Sequence, residues 1–211
     1  MTIRREDVLA WIKTYTGVIA DNKDYLTQLD AAIGDADHGA NMNRGFQAVV
    51  GKMSEMADKD IGTILKTVGM TLLSTVGGAG GPLYGTLFLQ AGMKSVGKME
   101  LSLEDWATML DAAVSGVVMR GKAELNDKTM VDALTPAVQA LKTALENGQD
   151  LSTALQNSAN AAKEGMEKTI PLVARKGRAS YLGERSAGHQ DPGATSSYFL
   201  LKAAADTWGG S

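Results

Sequence analysis

The chain has 211 residues, a formal net charge of −3 at pH 7, no cysteine and two histidines. These values exclude a disulfide framework and thiolate metal sites, and they disfavour nonspecific binding to nucleic acid or anionic lipid. Any bound anion must therefore be held by a local site, and any metal ion mainly by oxygen ligands.

Apolar residues recur at helical spacing along nearly the whole chain, as at Trp11, Tyr15, Val18 and Ile19. This periodicity predicts an all-α protein, and the length suits one domain over residues 1–211. Pro136 should kink its helix or lie in the first turn, because proline removes a backbone hydrogen bond. We place eight helices, at residues 4–29, 39–57, 59–76, 82–97, 103–120, 129–147, 152–169 and 193–208.

The start of the chain leads into an amphipathic pattern rather than the apolar run of a signal peptide, so we expect a cytoplasmic protein. The uncharged stretch 67–93 is long enough to suggest a membrane span. Its centre, the glycine-rich run 77–82, would break a helix, and unpaired backbone is not tolerated against lipid. We therefore predict two buried helices joined by a loop.

Four polar, glycine-bearing connections stand out in the sequence, at residues 30–39, 77–81, 120–128 and 176–192. They follow the first, third, fifth and seventh predicted helices. Because consecutive helices of an up-and-down bundle run antiparallel, alternate connections lie at the same end. The sequence therefore predicts that all four loops gather at one end of a bundle.

Three aspartates, Asp30, Asp35 and Asp37, lie at the end of the first helix and in the turn after it. Carboxylates this close repel unless cations neutralise them, and Mg²⁺ prefers oxygen ligands that substrate phosphates complete. Ordinary turn and helix-cap chemistry is the alternative. A calcium EF-hand is excluded, because the twelfth position from Asp35 is Phe46 rather than glutamate. His38 could contact a phosphate or base, or could be a hydrogen-bonded turn histidine.

The glycine-rich run 77–82 enters a predicted helix, so its amides and the helix dipole could face an anion. It matches neither a P-loop nor a dinucleotide fold, and a tight helix connection is the alternative. The basic segment 175–193 could clamp phosphate through arginine or form a mobile surface loop. Met130 could pack under an adenine ring or belong to the core.

The sequence contains no serine–histidine–acid arrangement and no obvious general base for an alcohol. Several long strings of residues, in the same order, resemble the L subunit of bacterial dihydroxyacetone kinases over nearly the whole chain. They are residues 34–45, 77–82, 120–123, 128–130, 176–186 and 188–193. The resemblance implies an eight-helix antiparallel up-and-down barrel with a nucleotide site at one end.

The resemblance also implies bound ADP or ATP with two Mg²⁺, for which Asp30, Asp35 and Asp37 are the metal ligands. The family's usual serine is replaced by glycine at position 80, which removes a hydroxyl donor to the phosphate. The nucleotide contacts implied are His38, Asn41, Ala79, Gly80, Gly121, Met130, Arg178, Asp191 and Gly193.

The function implied is transfer of the γ-phosphoryl group of ATP to dihydroxyacetone held on a separate K subunit, where any catalytic base would lie. A chain without a sugar-binding domain resembles the phosphoenolpyruvate-dependent branch. In that branch a phosphohistidine protein, the M subunit of the phosphotransferase system, rephosphorylates the bound ADP. The alternative function is a nucleotide-dependent regulator of a transcription factor or other partner.

Overall fold

The computed structural model describes residues 2–209, which are helical nearly throughout, so the predicted all-α class is confirmed. Two short strands, β1 (Ile3–Arg4) and β2 (Glu100–Leu101), pair antiparallel. A 3₁₀ segment spans Arg178–Ser186. The α-helices are α1 (Arg5–Asp21), α2 (Lys23–Ile33), α3 (His38–Val50), α4 (Met53–Met56), α5 (Ile61–Thr75), α6 (Gly80–Lys94), α7 (Leu103–Gly121), α8 (Val131–Glu146), α9 (Leu151–Lys168) and α10 (Pro192–Trp208).

All eight predicted helical segments are present, but two of them are divided. Asn22 separates α1 from α2, and its backbone N–H and side-chain amide both donate to the Val18 carbonyl, which ends α1. The second predicted segment ends at Val50, and the short helix α4 follows it. Periodicity does not reveal these breaks, because the apolar spacing continues through them.

Pro136 lies in the second turn of α8 rather than the first. Because proline has no N–H, the carbonyl of Asp132, four residues earlier, loses its usual helical partner. Helix α9 comes very close at this carbonyl, since a Cβ atom added to Gly165 would lie 2.0 Å from it. The unpaired carbonyl that the proline leaves in α8 therefore lies against Gly165 of α9.

The uncharged stretch 67–93 forms parts of α5 and α6, which are joined by a short loop at residues 76–79, as predicted. Glycines allow these two helices to approach closely: a Cβ atom on Gly69 would lie 2.8 Å from the Gly85 carbonyl oxygen. Within residues 2–209, no helix combines the length and the apolar character that crossing a membrane requires.

Helix packing follows the order of the chain. From α5 to α10 each helix packs on the next, α3 packs on α1 and α5, and α10 returns to pack on α1. One large apolar core lies between them and includes the three tryptophans, Trp11, Trp106 and Trp208. The arrangement of these helices as an antiparallel up-and-down barrel stays a prediction.

Candidate functional site

A pocket lies where the four predicted loops meet. Its wall includes residues from 30–41, 76–84, 128–130, 176–179 and 191–193, so the predicted gathering of these loops at one place is confirmed. The lining contains eleven of the twelve residues named above as metal or nucleotide contacts: Asp30, Asp35, Asp37, His38, Asn41, Ala79, Gly80, Met130, Arg178, Asp191 and Gly193.

Gly121 is the one predicted contact that is not in this lining. It is the last residue of α7, and a Cβ atom on it would lie 3.2 Å from Leu83, which does line the pocket. Gly121 therefore lies next to a residue of the wall, and its contact with a nucleotide stays a prediction. The loop at 120–128 reaches the pocket through Lys128 instead.

Asp30 organises the turn that carries the other two aspartates. It is buried near the end of α2, and its Oδ2 accepts the backbone N–H groups of Asp37 at 2.8 Å and His38 at 3.0 Å. Glycine is required at position 34, because a Cβ atom there would lie 2.0 Å from Asp30 Oδ1. The Asp30 carboxylate thus fixes the backbone between α2 and α3.

The three aspartates converge. One carboxylate oxygen from each of Asp30, Asp35 and Asp37 lies within 4.8 Å of the others, and this is the one such acidic group among the described residues. Turn and cap chemistry accounts for Asp30 but not for Asp37, which is the N-cap residue of α3 and makes no side-chain cap bond. Hard carboxylate oxygens at this spacing fit a cation such as Mg²⁺.

His38 is held by a hydrogen-bonded chain of hydroxyl groups. Its Nε2 lies 2.9 Å from Ser196 Oγ, which lies 2.7 Å from the hydroxyl of Tyr84. Ser196 Oγ also donates to the carbonyl of Gly193, so its lone pairs can accept from both neighbours. Burial lowers the pKa of His38, and the charges of Asp30 and Asp37 only partly oppose this effect. Burial thus favours the neutral form of the ring, and the hydrogen bond to Ser196 orients it in the pocket wall.

The glycine-rich run serves both backbone packing and access to the pocket. Gly81 is required for packing, since a Cβ atom on it would lie 2.3 Å from the Val76 carbonyl oxygen. Residues 77–80 line the pocket where α6 begins, so their amides lie at the positive end of the helix dipole. At Gly80 a Cβ atom would lie 3.3 Å from Val76, so a serine there would need a small displacement of that side chain.

The basic segment contributes one arginine to the pocket. Arg178 Nε lies 2.8 Å from Asp35 Oδ2, and residues 176–179 form part of the wall. Arg175 and Arg185 are not in the lining. Arg175 instead donates its backbone N–H to the carbonyl of Asp127 at 3.1 Å. The segment is thus tied to the protein at several points.

Asp191 is the N-cap residue of α10 and is buried, with its Oδ2 accepting the N–H of Ala194 at 2.7 Å. Burial, and secondarily the charge of Asp132, raises the pKa of Asp191 to about 7, although the Ala194 N–H and Lys128 oppose this shift.

Several polar residues of the site were not predicted from sequence. Three of them lie inside predicted helices, where the pattern indicates only packing, and Lys128 lies in the predicted loop at 120–128, where no signal gave it a role. They are Tyr84, Lys128, Asp132 and Ser196.

Residues 32–206 match the DAK2 domain family. The chain is 48% identical over 202 residues to the ADP-binding subunit DhaL of the PEP-dependent dihydroxyacetone kinase of Escherichia coli (strain K12), covering 96% of each chain. It is 45% identical over 186 residues to the ADP-binding subunit DhaL of PEP-dependent dihydroxyacetone kinase 2 of Listeria innocua, covering 87% of this chain and 86% of that one.

The fold is also similar to a solved structure, the dihydroxyacetone kinase from C. freundii in complex with AMP-PNP and Mg²⁺. The TM-score is 0.69 at 27% sequence identity, with 94% of this chain covered. This chain spans about a third of the length of that kinase chain. The family match and the two full-length relatives show that the chain belongs to the DAK2-domain family and, within it, to the DhaL-type subunits of dihydroxyacetone kinase, a phosphotransferase.

Proposed function

We propose that residues 1–211 form one domain that holds ADP or ATP with two Mg²⁺ and serves as the phosphoryl donor of a dihydroxyacetone kinase. The terminal phosphoryl group of ATP passes to a hydroxyl oxygen of dihydroxyacetone bound on a separate K subunit. The ADP that remains is rephosphorylated by a phosphohistidine protein. The observation that carries this proposal is the convergence of three carboxylates, a glycine-rich helix start and an arginine on one pocket.

Asp30, Asp35 and Asp37 would hold the metal ions, since their oxygens approach one another within 4.8 Å at the pocket wall. Bound Mg²⁺ would neutralise phosphate charge and orient the phosphate chain. Asp30 has a second role in the protein, because its oxygen also receives two backbone N–H groups that place the following turn.

The remaining wall fits a nucleoside diphosphate or triphosphate. Amides at Ala79 and Gly80 lie at the start of α6, where the dipole favours an anion. The Arg178 guanidinium can pair with phosphate oxygens, as it does with the Asp35 carboxylate. Met130, a buried thioether side chain in the lining, would pack against the base. The other contacts proposed are His38, Asn41, Gly121, Asp191 and Gly193.

We assign no catalytic base to this chain. The Nε2 atom of His38 is engaged with Ser196, and the three carboxylates face one another as a cation site. The contribution of this subunit is therefore positioning and charge neutralisation, which are the main sources of rate in phosphoryl transfer. Activation of the acceptor hydroxyl belongs to the K subunit.

The names of the relatives support the donor and partner parts of the proposal. The E. coli and L. innocua proteins are ADP-binding subunits of PEP-dependent kinases, and the C. freundii kinase was solved with an ATP analogue and Mg²⁺. No observation on this chain favours the regulatory alternative over the kinase.

The metal assignment is tested by changing Asp35 and Asp37 together to Asn. The wild-type protein should bind ADP tightly in the presence of Mg²⁺, and the double variant should lose this Mg²⁺-dependent binding, as measured by calorimetry and by native mass spectrometry. Asp58→Asn is the control, because Asp58 is exposed and paired with Lys59 away from the pocket. Retention of stoichiometric ADP and metal by the double variant would show that these carboxylates are not the ligands.

The reaction is tested by reconstitution. The chain is mixed with a K subunit, dihydroxyacetone and a phosphohistidine donor or ATP, and dihydroxyacetone phosphate is measured. Product should form and should depend on this chain. Absence of product with every donor would contradict the kinase function.

A further inference from the structure

We propose that Lys128 is a positioning residue whose ammonium group joins the two ends of segment 170–190 and so holds Arg178 at the pocket. The inference rests on the proposed function in one respect, namely that Arg178 contacts the nucleotide. The closure of the segment itself does not depend on that function and can be measured without nucleotide.

Lys128 is a fully buried cation, with 1% of its surface exposed. Its Nζ donates to the carbonyl oxygens of Thr169 at 2.6 Å and Ile170 at 3.4 Å, and to the carbonyl of His189. Thr169 and Ile170 lie where the chain leaves α9, and His189 lies where it returns to α10. One side chain therefore bonds both ends of the excursion that carries Arg178.

Two further bonds join the same ends. The backbone N–H of Gly188 donates to the Ile170 carbonyl at 2.7 Å, and the N–H of Asp191 donates to Thr169 Oγ1 at 3.0 Å. These bonds close the base of the segment, while Lys128 supplies the only contact there with a full charge among the described residues. Hydrogen bonds from a charged donor are stronger than neutral ones.

Lys128 lines the pocket, so a direct contact with nucleotide has to be considered. An ammonium group has three N–H donors, and the three carbonyls of Thr169, Ile170 and His189 use all of them. Lys128 could bond to a phosphate only by releasing one end of the segment. Its geometry is that of a support for the loop rather than a ligand.

The local backbone is arranged to deliver this side chain. Lys128 has a left-handed φ of 63°, and Asn126 has a φ of 71°. Both Asp132 carboxylate oxygens hold the turn, because they accept the N–H groups of Asn126 and Thr129. The charges of Asp191 and Asp132 also oppose the lowering of the Lys128 pKa that burial causes. The left-handed turn, held by the Asp132 carboxylate, thus places the Lys128 side chain in the interior.

The test compares Lys128→Met with Lys122→Met. Lys122 is a matched control, because it also has a left-handed φ, 50°, but is exposed. Hydrogen exchange is followed in nucleotide-free protein at segment 170–190, where buried amides such as that of Ala174 report closure. Exchange there should be about 10- to 100-fold faster in Lys128→Met, from the strength of hydrogen bonds to a charged donor. Exchange in α5 and α6 should not change.

A chemical rescue separates the charge from general packing. The chain has no cysteine, so Lys128→Cys can be alkylated at one position while unfolded and then refolded. Bromoethylamine restores an ammonium group at nearly the length of lysine, whereas iodoacetamide adds a neutral group of similar bulk. Slow exchange in the segment should return only with bromoethylamine. The release rate of ADP in the presence of Mg²⁺ should rise roughly tenfold in Lys128→Met and return with the same rescue.

Three results would overturn the proposal. Unchanged exchange in segment 170–190 would show that Lys128 does not hold it. Faster exchange throughout the protein would indicate a global stability role. Faster ADP release with unchanged exchange would indicate a direct ligand. If neither the wild type nor any variant binds ADP, but exchange in segment 170–190 is faster in Lys128→Met as expected, the nucleotide function fails and the closure by Lys128 stands.

Discussion

Replacing Asp191 with Asn should change how the stability of the nucleotide-free protein depends on pH. Asp191 is the N-cap residue of α10, and its Oδ2 accepts the N–H of Ala194, a bond that an Asn oxygen can also accept. Burial raises the pKa of the carboxyl group from its ordinary value of 3.8 to about 7. The substitution therefore retains the cap and removes the ionisation.

The direction in which stability changes with pH follows from proton binding. Between pH 3.8 and about 7 the folded protein holds a proton on Asp191 that the unfolded chain has lost. Stability from this group is therefore complete below pH 3.8 and is lost as the pH rises through 7. With these values, wild-type protein should lose about 2–3 kcal/mol of unfolding free energy between pH 5 and pH 8 through this carboxyl group. The Asn variant should lose none of it.

The assay is urea unfolding of both proteins at pH 5 and pH 8 without nucleotide or Mg²⁺. The free-energy difference, wild type minus variant, should fall by about 2–3 kcal/mol over this range. Asp150→Asn is the matched control, because Asp150 caps α9 in the same way but is exposed, and its Thr153 bond lowers its pKa. The difference in unfolding free energy between wild type and Asp150→Asn should stay constant from pH 5 to pH 8. A constant or rising difference for Asp191→Asn would refute the buried-proton argument.

Three other predictions concern packing and spectroscopy. Gly165→Ala should lower the unfolding free energy by about 1–3 kcal/mol, because its Cβ would lie 2.0 Å from the Asp132 carbonyl oxygen. Gly17→Ala should raise the unfolding free energy by about 0.5–1 kcal/mol, because Gly17 lies in α1 and no atom lies within 4 Å of an added Cβ. Urea unfolding measures both variants. A destabilised Gly17→Ala protein would contradict this reasoning. The three tryptophans pack together, with the rings of Trp106 and Trp208 4.9 Å apart, and none lines the pocket. Tryptophan emission should therefore shift on unfolding but not on addition of ADP and Mg²⁺, and a shift on binding would indicate coupling between the two regions.

The sequence alone determined the helical class, the positions of the helical segments and the gathering of four loops. These features follow from local rules, because helical periodicity and glycine-rich breaks are encoded in neighbouring residues. The aspartate cluster was also visible, since Asp30, Asp35 and Asp37 lie within eight positions of one another.

Local rules failed where one residue ended a helix without a change of pattern. Asn22 divides α1 from α2 by bonding back to Val18, and the apolar spacing continues past it. Gly121, a contact implied by resemblance, is not in the pocket lining, and a Cβ atom on it would lie 3.2 Å from Leu83 of another helix, so this contact stays a prediction. Both outcomes depend on how a side chain is placed in three dimensions.

Tertiary structure alone decided the polar network of the site. Lys128 meets His189 across 61 positions of sequence, and His38 meets Ser196 across 158. The pKa of Asp191 rises because helix packing removes water from its carboxyl group. Such groups acquire their chemistry from partners and burial that only the packed chain provides, because no short-range pattern specifies contacts between distant helices.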